Sequence, residues 1–459
     1  MTDIANKKTY HIRTFGCQMN ERDSETIAGL LEQMGYGRAS EKNAADIVVI
    51  NTCSVRENAD HRFFGLLGQT KHIKMKRPET IVAVCGCMMQ QAYIVDRIKD
   101  KHAWVDLVFG THNIDRLPEL IDEILLAREP VMTVAVENER AEIIEGLPAK
   151  RASDTKAYIN IMYGCDNFCT YCIVPYTRGR EASRAPESIL SEIRTLSAGG
   201  TKEITLLGQN VNSYKGINSD NSVHLDFAGL LEAIDNDKDT SGIQRVRFMT
   251  SHPKDLSDRL IACFDSGKGL KKICPSIHLP VQAGSDHVLE RMNRRYTKKG
   301  YIDLANKLRE ANPDIVLTTD FIVGFPGETD EDFEETLDLI ERVRFDSAFT
   351  FIFSPRLGTP AANYDEQIPD DDKHSRFDRM IEKLNAISFE KNNSYVGKTF
   401  EVLIDGLANK GDKILAGRTN GGKLVNFPAD PDLLKSDPFI NIKITGSNTF
   451  SLVGEIVPE

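Results

Sequence analysis

Three cysteines lie close together in the segment Cys165-Asp-Asn-Phe-Cys169-Thr-Tyr-Cys172. Thiolates at this spacing can bind three irons of a four-iron cluster and leave the fourth iron without a protein ligand. A cluster that is bound by protein at every iron mostly transfers electrons, whereas an open iron can bind a substrate and pass an electron into it. The segment therefore predicts an iron–sulfur site that performs chemistry.

Zinc binding and a disulfide are the alternative uses of these thiols. Zinc sites usually have four protein ligands, and no further cysteine or histidine follows within a few residues of Cys172. A disulfide needs an oxidising compartment, but the start of the chain, MTDIANKKTYHIRTFG, lacks the apolar run of a signal peptide. No later window approaches the roughly 18 apolar residues of a membrane span. We therefore expect a cytoplasmic protein with reduced thiols.

Three more cysteines follow short apolar runs near the N-terminus. The runs are Tyr10-His-Ile-Arg-Thr-Phe-Gly-Cys17, Ile47-Val-Val-Ile-Asn-Thr-Cys53 and Ile81-Val-Ala-Val-Cys85-Gly-Cys87. In an open α/β sheet the carboxyl ends of parallel strands face one crevice, so Cys17, Cys53 and Cys87 are expected to converge. One cysteine at a strand end is usually a small buried hydrophobe. Three at equivalent positions favour a second three-cysteine site.

The remaining cysteines are interpreted as packed thiols. In a continuous strand, the side chains of Cys85 and Cys87 would point to the same face of the sheet. Gly86 predicts a turn between them, and Cys87 lies on the loop side of this turn. Cys87 is therefore the expected ligand. Cys85, Cys263 and Cys274 are assigned to packing.

Length and charge limit the classes of protein. A chain of 459 residues is too long for one ordinary core, so two or three domains are expected. The net charge of −11 argues against indiscriminate nucleic-acid binding, although a local basic patch remains compatible with it. We expect three basic runs to be solvated surface charge. They are Lys71-His72-Ile73-Lys74-Met75-Lys76-Arg77, Arg178/Arg180/Arg184 and Arg291/Arg294/Arg295/Lys298/Lys299.

The pattern of apolar runs predicts three regions and a linker. Residues 7–130 alternate short strands with helices, as in an α/β domain with a parallel sheet, and residues 131–155 are irregular and charged. Residues 156–392 contain six strand–helix repeats, which predict a partial (β/α)6 barrel. Its strands are Ala157–Tyr163, Glu203–Leu207, Gln244–Met249, Ser276–Val281, Val316–Val323 and Ala348–Phe353. Polar clusters follow these strands, where barrel sites gather.

The C-terminal part changes from helical to all-β patterning. Ser375–Lys391 has apolar residues at helical spacing and predicts a helix that packs on the core. Residues 395–459 contain five short strand patterns, which predict a small OB-like barrel. Such barrels often bind nucleic acid, but an inert accessory barrel fits the composition equally well.

These segments resemble the radical S-adenosylmethionine enzymes, and among them the methylthiotransferases, over essentially the whole chain. The resemblance rests on Cys165, Cys169 and Cys172 together with several neighbouring strings. They are Gly16-Cys-Gln-Met-Asn20, Asn51-Thr-Cys-Ser-Val-Arg56, Tyr176-Thr-Arg-Gly-Arg180, Leu207-Gly-Gln-Asn-Val-Asn212, Thr250-Ser-His-Pro253 and Asp320-Phe-Ile-Val-Gly-Phe-Pro-Gly-Glu-Thr329. The family has an N-terminal α/β methylthiotransferase domain, a TIM-like radical barrel and a C-terminal all-β TRAM barrel. These domains correspond to the three regions above.

The resemblance implies two 4Fe-4S clusters and S-adenosylmethionine as cofactors. Cys165, Cys169 and Cys172 would hold the radical cluster, whose free iron takes the amino and carboxylate groups of S-adenosylmethionine. Cys17, Cys53 and Cys87 would hold an auxiliary cluster. Gly199-Gly200 matches the family's methionine-binding turn, although Lys202 stands where relatives often have an acidic residue, which makes Glu203 the candidate in its place. The other candidate cofactor contacts are Tyr171, Gln209, Asn210, Ser251 and Gln282.

The implied reaction converts N6-isopentenyladenosine at position 37 of tRNA to its 2-methylthio derivative. The C2–H of adenine is not acidic, so acid–base catalysis by side chains has little effect there. One S-adenosylmethionine would methylate the sulfur and a second would supply a 5′-deoxyadenosyl radical, while the base is unstacked from the anticodon loop. The implied partners are the tRNA, an electron donor and an iron–sulfur or sulfur carrier. Neither a membrane span nor a heptad array is found, and we expect a monomer.

Two sister branches of the family carry the same cysteines. One acts on N6-threonylcarbamoyladenosine in tRNA and the other on an aspartate of a ribosomal protein. Gln18-Met19-Asn20 and Ser54-Val55-Arg56 favour the isopentenyladenosine branch. A non-catalytic iron–sulfur carrier or redox-sensing RNA-binding protein is a more distant hypothesis, since a carrier needs no barrel around its cluster.

Overall fold

The computed structural model describes residues 8–54, 57–127, 132–137, 143–408, 413–435 and 437–457. Val55, Arg56 and parts of the predicted linker, at 131 and 138–142, lie outside the described residues. The chain packs as two compact units. The first contains the residues up to Phe168 together with Cys172–Ser191 and Leu207–Gln209, and the second contains Cys169–Tyr171, Glu192–Leu206 and the chain from Asn210 onward.

The first unit is built on a six-stranded parallel sheet with the order β2-β1-β3-β4-β5-β6. Its strands are β1 (Thr9–Thr14), β2 (Gly37–Arg38), β3 (Ile47–Thr52), β4 (Ile81–Gly86), β5 (Leu107–Phe109) and β6 (Thr133–Ala135). Its helices are α1 (Gln18–Gln33), α2 (Glu57–Lys76), α3 (Ala92–Lys101) and α4 (Leu117–Leu126). Every residue of β3 and β4 is buried, as expected of parallel strands that are covered on both faces. The predicted α/β domain is confirmed.

The predicted linker at 131–155 is not irregular throughout, because Thr133–Ala135 form β6 and pair with β5 in the sheet. Residues 143–155 contain no helix or strand and are held against α1. The backbone N–H of Lys150 donates to the carbonyl of Glu25 at 2.8 Å, and Arg151 donates to the Glu25 carboxylate at 2.9 Å. The same unit then contains β7 (Lys156–Asn160), β8 (Met162–Tyr163), α5 (Val174–Arg178) and β9 (Ala182–Ser183).

The barrel pattern continues through the second unit, where strands alternate with helices. The elements are α6 (Pro186–Ala198), β10 (Glu203–Leu207), β11 (Lys215–Ile217), β12 (His224–Asp226), α7 (Phe227–Asn236), β13 (Arg245–Phe248), α8 (Asp258–Ala262), β14 (Ser276–His278), α9 (Asp286–Arg291), α10 (Lys298–Ala311), β15 (Val316–Val323), α11 (Asp330–Val343), β16 (Ser347–Ile352) and α12 (Asp370–Asn393). β10 pairs with β13, and β14, β15 and β16 form a second sheet, in every case in parallel. The six predicted strands are all present as β7, β10, β13, β14, β15 and β16.

Two boundaries differ from the expectation for physical reasons. The strand predicted over Ser276–Val281 ends at His278, because Pro280 has no N–H to donate to a sheet. Helix α12 begins five residues earlier than predicted, at Asp370, and three aspartates in its first turn suit the positive end of the helix dipole. Met380, Leu384 and Ile387 are buried on this helix, as predicted.

The C-terminal region is a closed five-stranded barrel with the order β17-β18-β19-β21-β20. Its strands are β17 (Thr399–Leu407), β18 (Ile414–Thr419), β19 (Leu424–Pro428), β20 (Phe439–Ser447) and β21 (Leu452–Ile456). The predicted five-stranded barrel is confirmed. No helix in the described part of the chain is long and apolar enough to cross a membrane.

Two arginines of β13 bind the small barrel to the rest of the second unit. Arg245 donates to the carbonyls of Arg418 at 2.9 Å and Glu401 at 3.0 Å, and its guanidinium lies 4.8 Å from the ring centroid of Phe439. Arg247 donates to the carbonyl of Thr419 at 2.9 Å. Because the Arg245 side chain is buried, these bonds have no competing water.

Replacement of Arg245 is expected to loosen the small barrel. Arg245→Ala leaves two partly buried carbonyls without their charged donor, which costs about 1 to 3 kcal/mol of local stability. Hydrogen exchange measured by mass spectrometry should become faster in β17 and β18. Arg259→Ala is the matched control, because its ion pairs with Asp226 and Glu232 are exposed and contribute about 1 kcal/mol or less. Equal exchange in the two variants would contradict the anchoring role.

Candidate metal centres

The structure brings Cys17, Cys53 and Cys87 together within the first unit. Each thiol directly follows a central strand of the sheet: Cys17 begins α1 after β1, Cys53 follows β3, and Cys87 follows β4. A hydrogen bond from Cys53 lowers the pKa of the Cys17 thiol to about 5, and the charge of Arg178 lowers it further against the effect of burial. A thiol at the N-terminus of a helix is also favoured as a thiolate. The role of the three thiols as cluster ligands stays a prediction.

Two glycines allow the loops that carry Cys17, Cys53 and Cys87 to lie close together. Gly16 has φ +134°, and a Cβ on it would lie 2.6 Å from the Cβ of Cys53. Gly86 has φ +100°, and a Cβ on it would lie 2.2 Å from the carbonyl oxygen of Thr52. A side chain at either position would push a cysteine-bearing loop away from its neighbour. The turn expected between Cys85 and Cys87 is therefore present.

Two asparagines from the motifs that carry the resemblance join the same loops. The Asn20 amide donates to the side-chain oxygen of Asn51 and to the carbonyl of Thr52, both at 3.0 Å. Asn51 donates in return to the carbonyl of Asn20 at 2.9 Å. The Cys17 thiol lies 3.4 Å from the side-chain oxygen of Asn20. Sequence reasoning did not assign a role to either residue, although both lie in the motifs around Cys17 and Cys53.

Arg178 is buried in this site, which corrects the expectation that Arg178, Arg180 and Arg184 are surface charge. Its Nε donates to the Cys87 sulfur at 3.0 Å, and its Nη2 donates to the Asp23 carboxylate at 2.8 Å. Burial alone would lower the pKa of Arg178, but Cys87, Asp23 and Cys17 outweigh it and keep the guanidinium charged. Arg184 is also buried and binds Glu145, whereas Arg180 is exposed.

The donor set agrees in type with an iron–sulfur cluster, whose irons take cysteine thiolates as ligands. In the described part of the chain, no group of three or more His, Cys, Asp or Glu side chains is arranged to hold one metal ion. The pKa of Cys17 is lowered, whereas burial raises the pKa of Cys87 against the opposing charge of Arg178. Three thiols in one site beside a buried cation are compatible with a cluster that has one open iron.

The second set of cysteines lies in the loop between β8 and α5. Cys169 is buried, while Cys165 and Cys172 are half-buried. Within the second unit, Arg294 approaches Cys169, with Nη1 3.5 Å from the sulfur. Arg294 also donates to the carbonyl of Pro280 at 2.7 Å and to the hydroxyl of Tyr296 at 2.7 Å. Arg294 is therefore, after Arg178 and Arg184, a third exception to the expected surface charge.

Several predicted cofactor residues carry buried polar atoms that have no hydrogen-bond partner in the described structure. These atoms are Gln209 Oε1, Asn210 Oδ1 and Ser251 Oγ. The side-chain nitrogen of Asn210 donates to the Asp255 carboxylate at 2.7 Å, which fixes the orientation of the amide. Buried polar atoms without a partner are costly, and a polar ligand such as S-adenosylmethionine would satisfy those of Asn210 and Ser251, which both belong to the second unit.

Two residues that follow strands of the second unit have strained backbone conformations. Thr250 and Gln282 have φ +69° and +74°, which is uncommon for residues with a side chain and clusters at binding sites. Thr250 follows β13, and its carbonyl accepts from the N–H of Val211 at 2.9 Å. Gln282 is buried and bridges to Phe321 of β15. Tyr171 packs beside Phe325 and Ile322.

The fold does not support a cofactor role for Gly199 and Gly200. Both are exposed in the turn between α6 and β10, where Gly200 has φ +95° and its N–H donates to Ser197. This turn precedes β10, whereas barrel sites lie where strands end. Glu203 is buried at the start of β10 and pairs with Arg247 at 2.9 Å. The sequence match therefore identified a helix C-terminal turn, which favours glycine for its positive φ.

The three cysteines assigned to packing are buried. Burial raises the pKa of Cys263 and of Cys274 to about 11, and raises that of Cys85 well above the ordinary value. Such thiols are inert at neutral pH. Cys85 belongs to the core of the parallel sheet.

Three family models match successive parts of the chain. The Uncharacterized protein family UPF0004 matches residues 9–110, the Radical SAM superfamily matches residues 159–340, and the TRAM domain matches residues 393–457.

Curated relatives match over nearly the full length. The tRNA-2-methylthio-N(6)-dimethylallyladenosine synthase of Clostridium perfringens (strain SM101 / Type A) is 51% identical over 452 residues, which cover 98% of each chain. The synthase of the same name from Alkaliphilus oremlandii is also 51% identical over 452 residues and is covered to 93%.

Solved structures share the fold at low identity. A radical S-adenosylmethionine methyltransferase, TsrM, from Kitasatospora setae has a TM-score of 0.53 and 15% identity, covering 75% of this chain and 72% of that chain. A cobalamin-dependent S-adenosylmethionine radical enzyme, OxsB, has a TM-score of 0.51 and 12% identity, covering 81% of this chain and 56% of that chain.

Arg178 is expected to retain iron at the Cys17, Cys53 and Cys87 site. Arg178→Gln leaves the Asp23 carboxylate and the thiolates without their buried cation, so iron should be lost to a chelator about tenfold faster. Iron and sulfide are measured anaerobically in a background with Cys165, Cys169 and Cys172 replaced by Ala, so that only this site is read.

Arg178→Lys keeps the charge and should lose iron more slowly than Arg178→Gln. Exposed Arg180→Gln is the matched control. Equal iron loss from the Arg178→Gln and Arg180→Gln proteins would show that the guanidinium does not support the site.

Proposed function

Since the chain belongs to the family of tRNA-2-methylthio-N(6)-dimethylallyladenosine synthases, which are radical S-adenosylmethionine methylthiotransferases, we propose that it adds a methylthio group to the adenine of N6-isopentenyladenosine at position 37 of tRNA. The observation that carries this proposal is the full-length similarity to these synthases combined with two separate three-cysteine sets. One set alone would provide a radical source without a place for the sulfur.

The proposed cofactors are two 4Fe-4S clusters and S-adenosylmethionine. Cys165, Cys169 and Cys172 would hold the radical cluster, and Cys17, Cys53 and Cys87 would hold the auxiliary cluster. When bound, the first would supply the electron that cleaves S-adenosylmethionine, and the second would present the sulfur that is inserted.

The side chains around the two cysteine sets would bind the cofactors and orient them. Arg178 balances the negative charge of the auxiliary thiolates and Asp23 in a buried site. Arg294 does the same beside Cys169, where its bonds to Pro280 and Tyr296 fix the guanidinium. Asn210 and Ser251 offer buried polar atoms for S-adenosylmethionine, and Gln282 lies at a neighbouring strand end. Cys53, Cys87 and Cys169 are buried, which limits the access of water to part of each thiol site.

His252 stays neutral beside the Arg294 guanidinium. Burial and the charge of Arg294 lower its pKa to about 2. Its Nδ1 accepts from the N–H of Lys254, so the ring fixes the loop after β13 and does not act as a proton carrier near neutral pH.

The domain assignment follows from the same family. Residues 7–130 form the methylthiotransferase domain with the auxiliary cluster, 131–155 the linker, 156–392 the radical domain and 395–459 the TRAM domain. The bounds of the three matching family models support these divisions.

The partners follow from the chemistry. The TRAM barrel is proposed to bind the tRNA, and each turnover needs an electron donor and a source that replaces the consumed sulfur. We propose that the enzyme works as a monomer in the cytoplasm.

The two cysteine sets are expected to differ in phenotype. Replacing Cys165, Cys169 and Cys172 together with Ala should abolish 5′-deoxyadenosine, because the electron source is lost. Replacing Cys17, Cys53 and Cys87 should spare some cleavage but abolish methylthio product. Both products are quantified by mass spectrometry under reductant, with iron content as a check. Identical losses from both triple variants would refute this division of roles.

The substrate is tested by offering three candidates to the reconstituted enzyme. Methylthio product is expected on tRNA with N6-isopentenyladenosine at position 37. The proposal fails if product forms only on tRNA with N6-threonylcarbamoyladenosine or on the ribosomal-protein aspartate. A protein that forms neither product nor 5′-deoxyadenosine would instead be a non-catalytic iron–sulfur protein.

A further inference from the structure

One face of the β14–β15–β16 sheet carries two exposed phenylalanines. Register pairs Asp320 with Phe349 and Ile322 with Phe351, so these four residues share one face, called here the aromatic face. Phe349 is 54% exposed and Phe351 is 43% exposed, whereas Asp320 and Ile322 beside them are half-buried. The alternate residues of β15 on the other face, such as Phe321, are buried. The two rings are therefore the exposed part of the aromatic face.

Polar side chains lie beside the two rings. His278 of β14 contacts Phe349 at 5.9 Å between ring centroids. Its Nδ1 lies 3.0 Å from the hydroxyl of Thr318, and its Nε2 lies 3.4 Å from the Asp320 carboxylate. The imidazole is thus fixed between a hydroxyl and a carboxylate. The face offers apolar rings together with one oriented polar group.

The two ends of the aromatic face meet different parts of the second unit. At the carboxyl end of β15, Ile322 packs in the same apolar cluster as Tyr171, which stands between Cys169 and Cys172 in the sequence. At the amino end, a Cβ on Gly421 of the small barrel would lie 2.9 Å from the Val316 side chain. The aromatic face therefore runs from the small barrel towards the cysteine loop.

We propose that the aromatic face binds the N6-isopentenyl adenine of the substrate, with Phe349 and Phe351 as the contacts for the base and its branched chain. This inference rests on the function proposed above and identifies the residues that select the modified base. An unstacked base gains about 1–3 kcal/mol from an aromatic ring. The isopentenyl chain adds apolar area that a phenylalanine covers and a polar side chain would not.

Charge on the aromatic face favours the uncharged isopentenyl group over a carboxylated one. The strand positions on this side are Ser276, His278, Val316, Thr318, Asp320, Ile322, Ser347, Phe349 and Phe351, and none is Lys or Arg. Arg247 of β13 reaches Ser276 at 3.3 Å, but its charge is paired with Glu203. The Asp320 carboxylate can accept the remaining N6–H of the adenine. It would repel the carboxylate of a threonylcarbamoyl group, so the same residue would select for one nucleoside and against the other.

The test measures binding of an anticodon stem–loop RNA to the reconstituted full-length enzyme by fluorescence anisotropy. The RNA carries either N6-isopentenyladenosine or unmodified adenosine at position 37. Wild type should prefer the modified RNA. Phe349→Ala and Phe351→Ala should each reduce this preference about tenfold, equivalent to about 1.4 kcal/mol, while the affinity for the unmodified RNA, which keeps only the contact with the base, should fall by less.

Phe389→Ala is the matched control, because Phe389 is 47% exposed and lies on α12, outside the strands of this sheet. Asp320→Asn should increase the affinity for RNA with N6-threonylcarbamoyladenosine relative to wild type. A circular dichroism spectrum that matches wild type shows that each variant is folded.

The outcomes separate this inference from the proposed function. If wild type prefers the modified RNA and both phenylalanine variants keep that preference, the aromatic face is not the binding site. If Phe389→Ala loses the preference as strongly as they do, the assignment also fails. If wild type itself shows no preference, the proposed substrate is wrong.

Discussion

The structure depends on gathering cysteines in largely buried places, where cluster-bound thiolates would repel one another and water would screen them little. A buried arginine lies beside each set of cysteines. Arg178 bonds to Cys87 and Asp23, and Arg294 lies against Cys169 while bonded to Pro280 and Tyr296. A guanidinium suits this role because it stays charged when buried and donates several hydrogen bonds in fixed directions. The glycines and asparagines around Cys17 and Cys53 then determine how closely the loops approach.

The ends of parallel strands determine where these groups gather. In the first unit, the three cysteines directly follow β1, β3 and β4. In the second unit, Asn210, Ser251 and Gln282 follow strands that carry no cysteine and provide buried polar atoms or strained backbone instead. The same topology thus supports two chemistries, because the residues after a strand vary while the strand positions do not.

Much of this architecture was predictable, because strand periodicity, the three-region pattern and the cysteine spacing are local signals. The two buried arginines were not, since a short basic run looks the same whether it is solvated or paired with an acid more than a hundred residues away. Arg178 and Asp23 form such a long-range pair. Gly199-Gly200 was misjudged for a related reason: a glycine pair indicates a turn, but only the fold tells which end of a strand the turn adjoins. Asn20 and Asn51 lie in motifs that carry the resemblance. Their mutual hydrogen bonds were not predictable, because they form only when the fold brings the two loops together.

The aromatic face explains how one barrel can combine reactive and selective surfaces. Residues at the strand ends must be polar or sulfur-bearing to hold charged cofactors, which leaves little apolar area there for an isopentenyl chain. The positions of β15 and β16 on the aromatic face do not need to hold a cofactor. Phe349 and Phe351 can therefore remain apolar and exposed. Arg245 and Arg247 of β13 bond to the small barrel, and Arg247 also lies 3.3 Å from Ser276 at the amino end of β14. Exposed phenylalanines are costly in water, and the base proposed above would cover both rings.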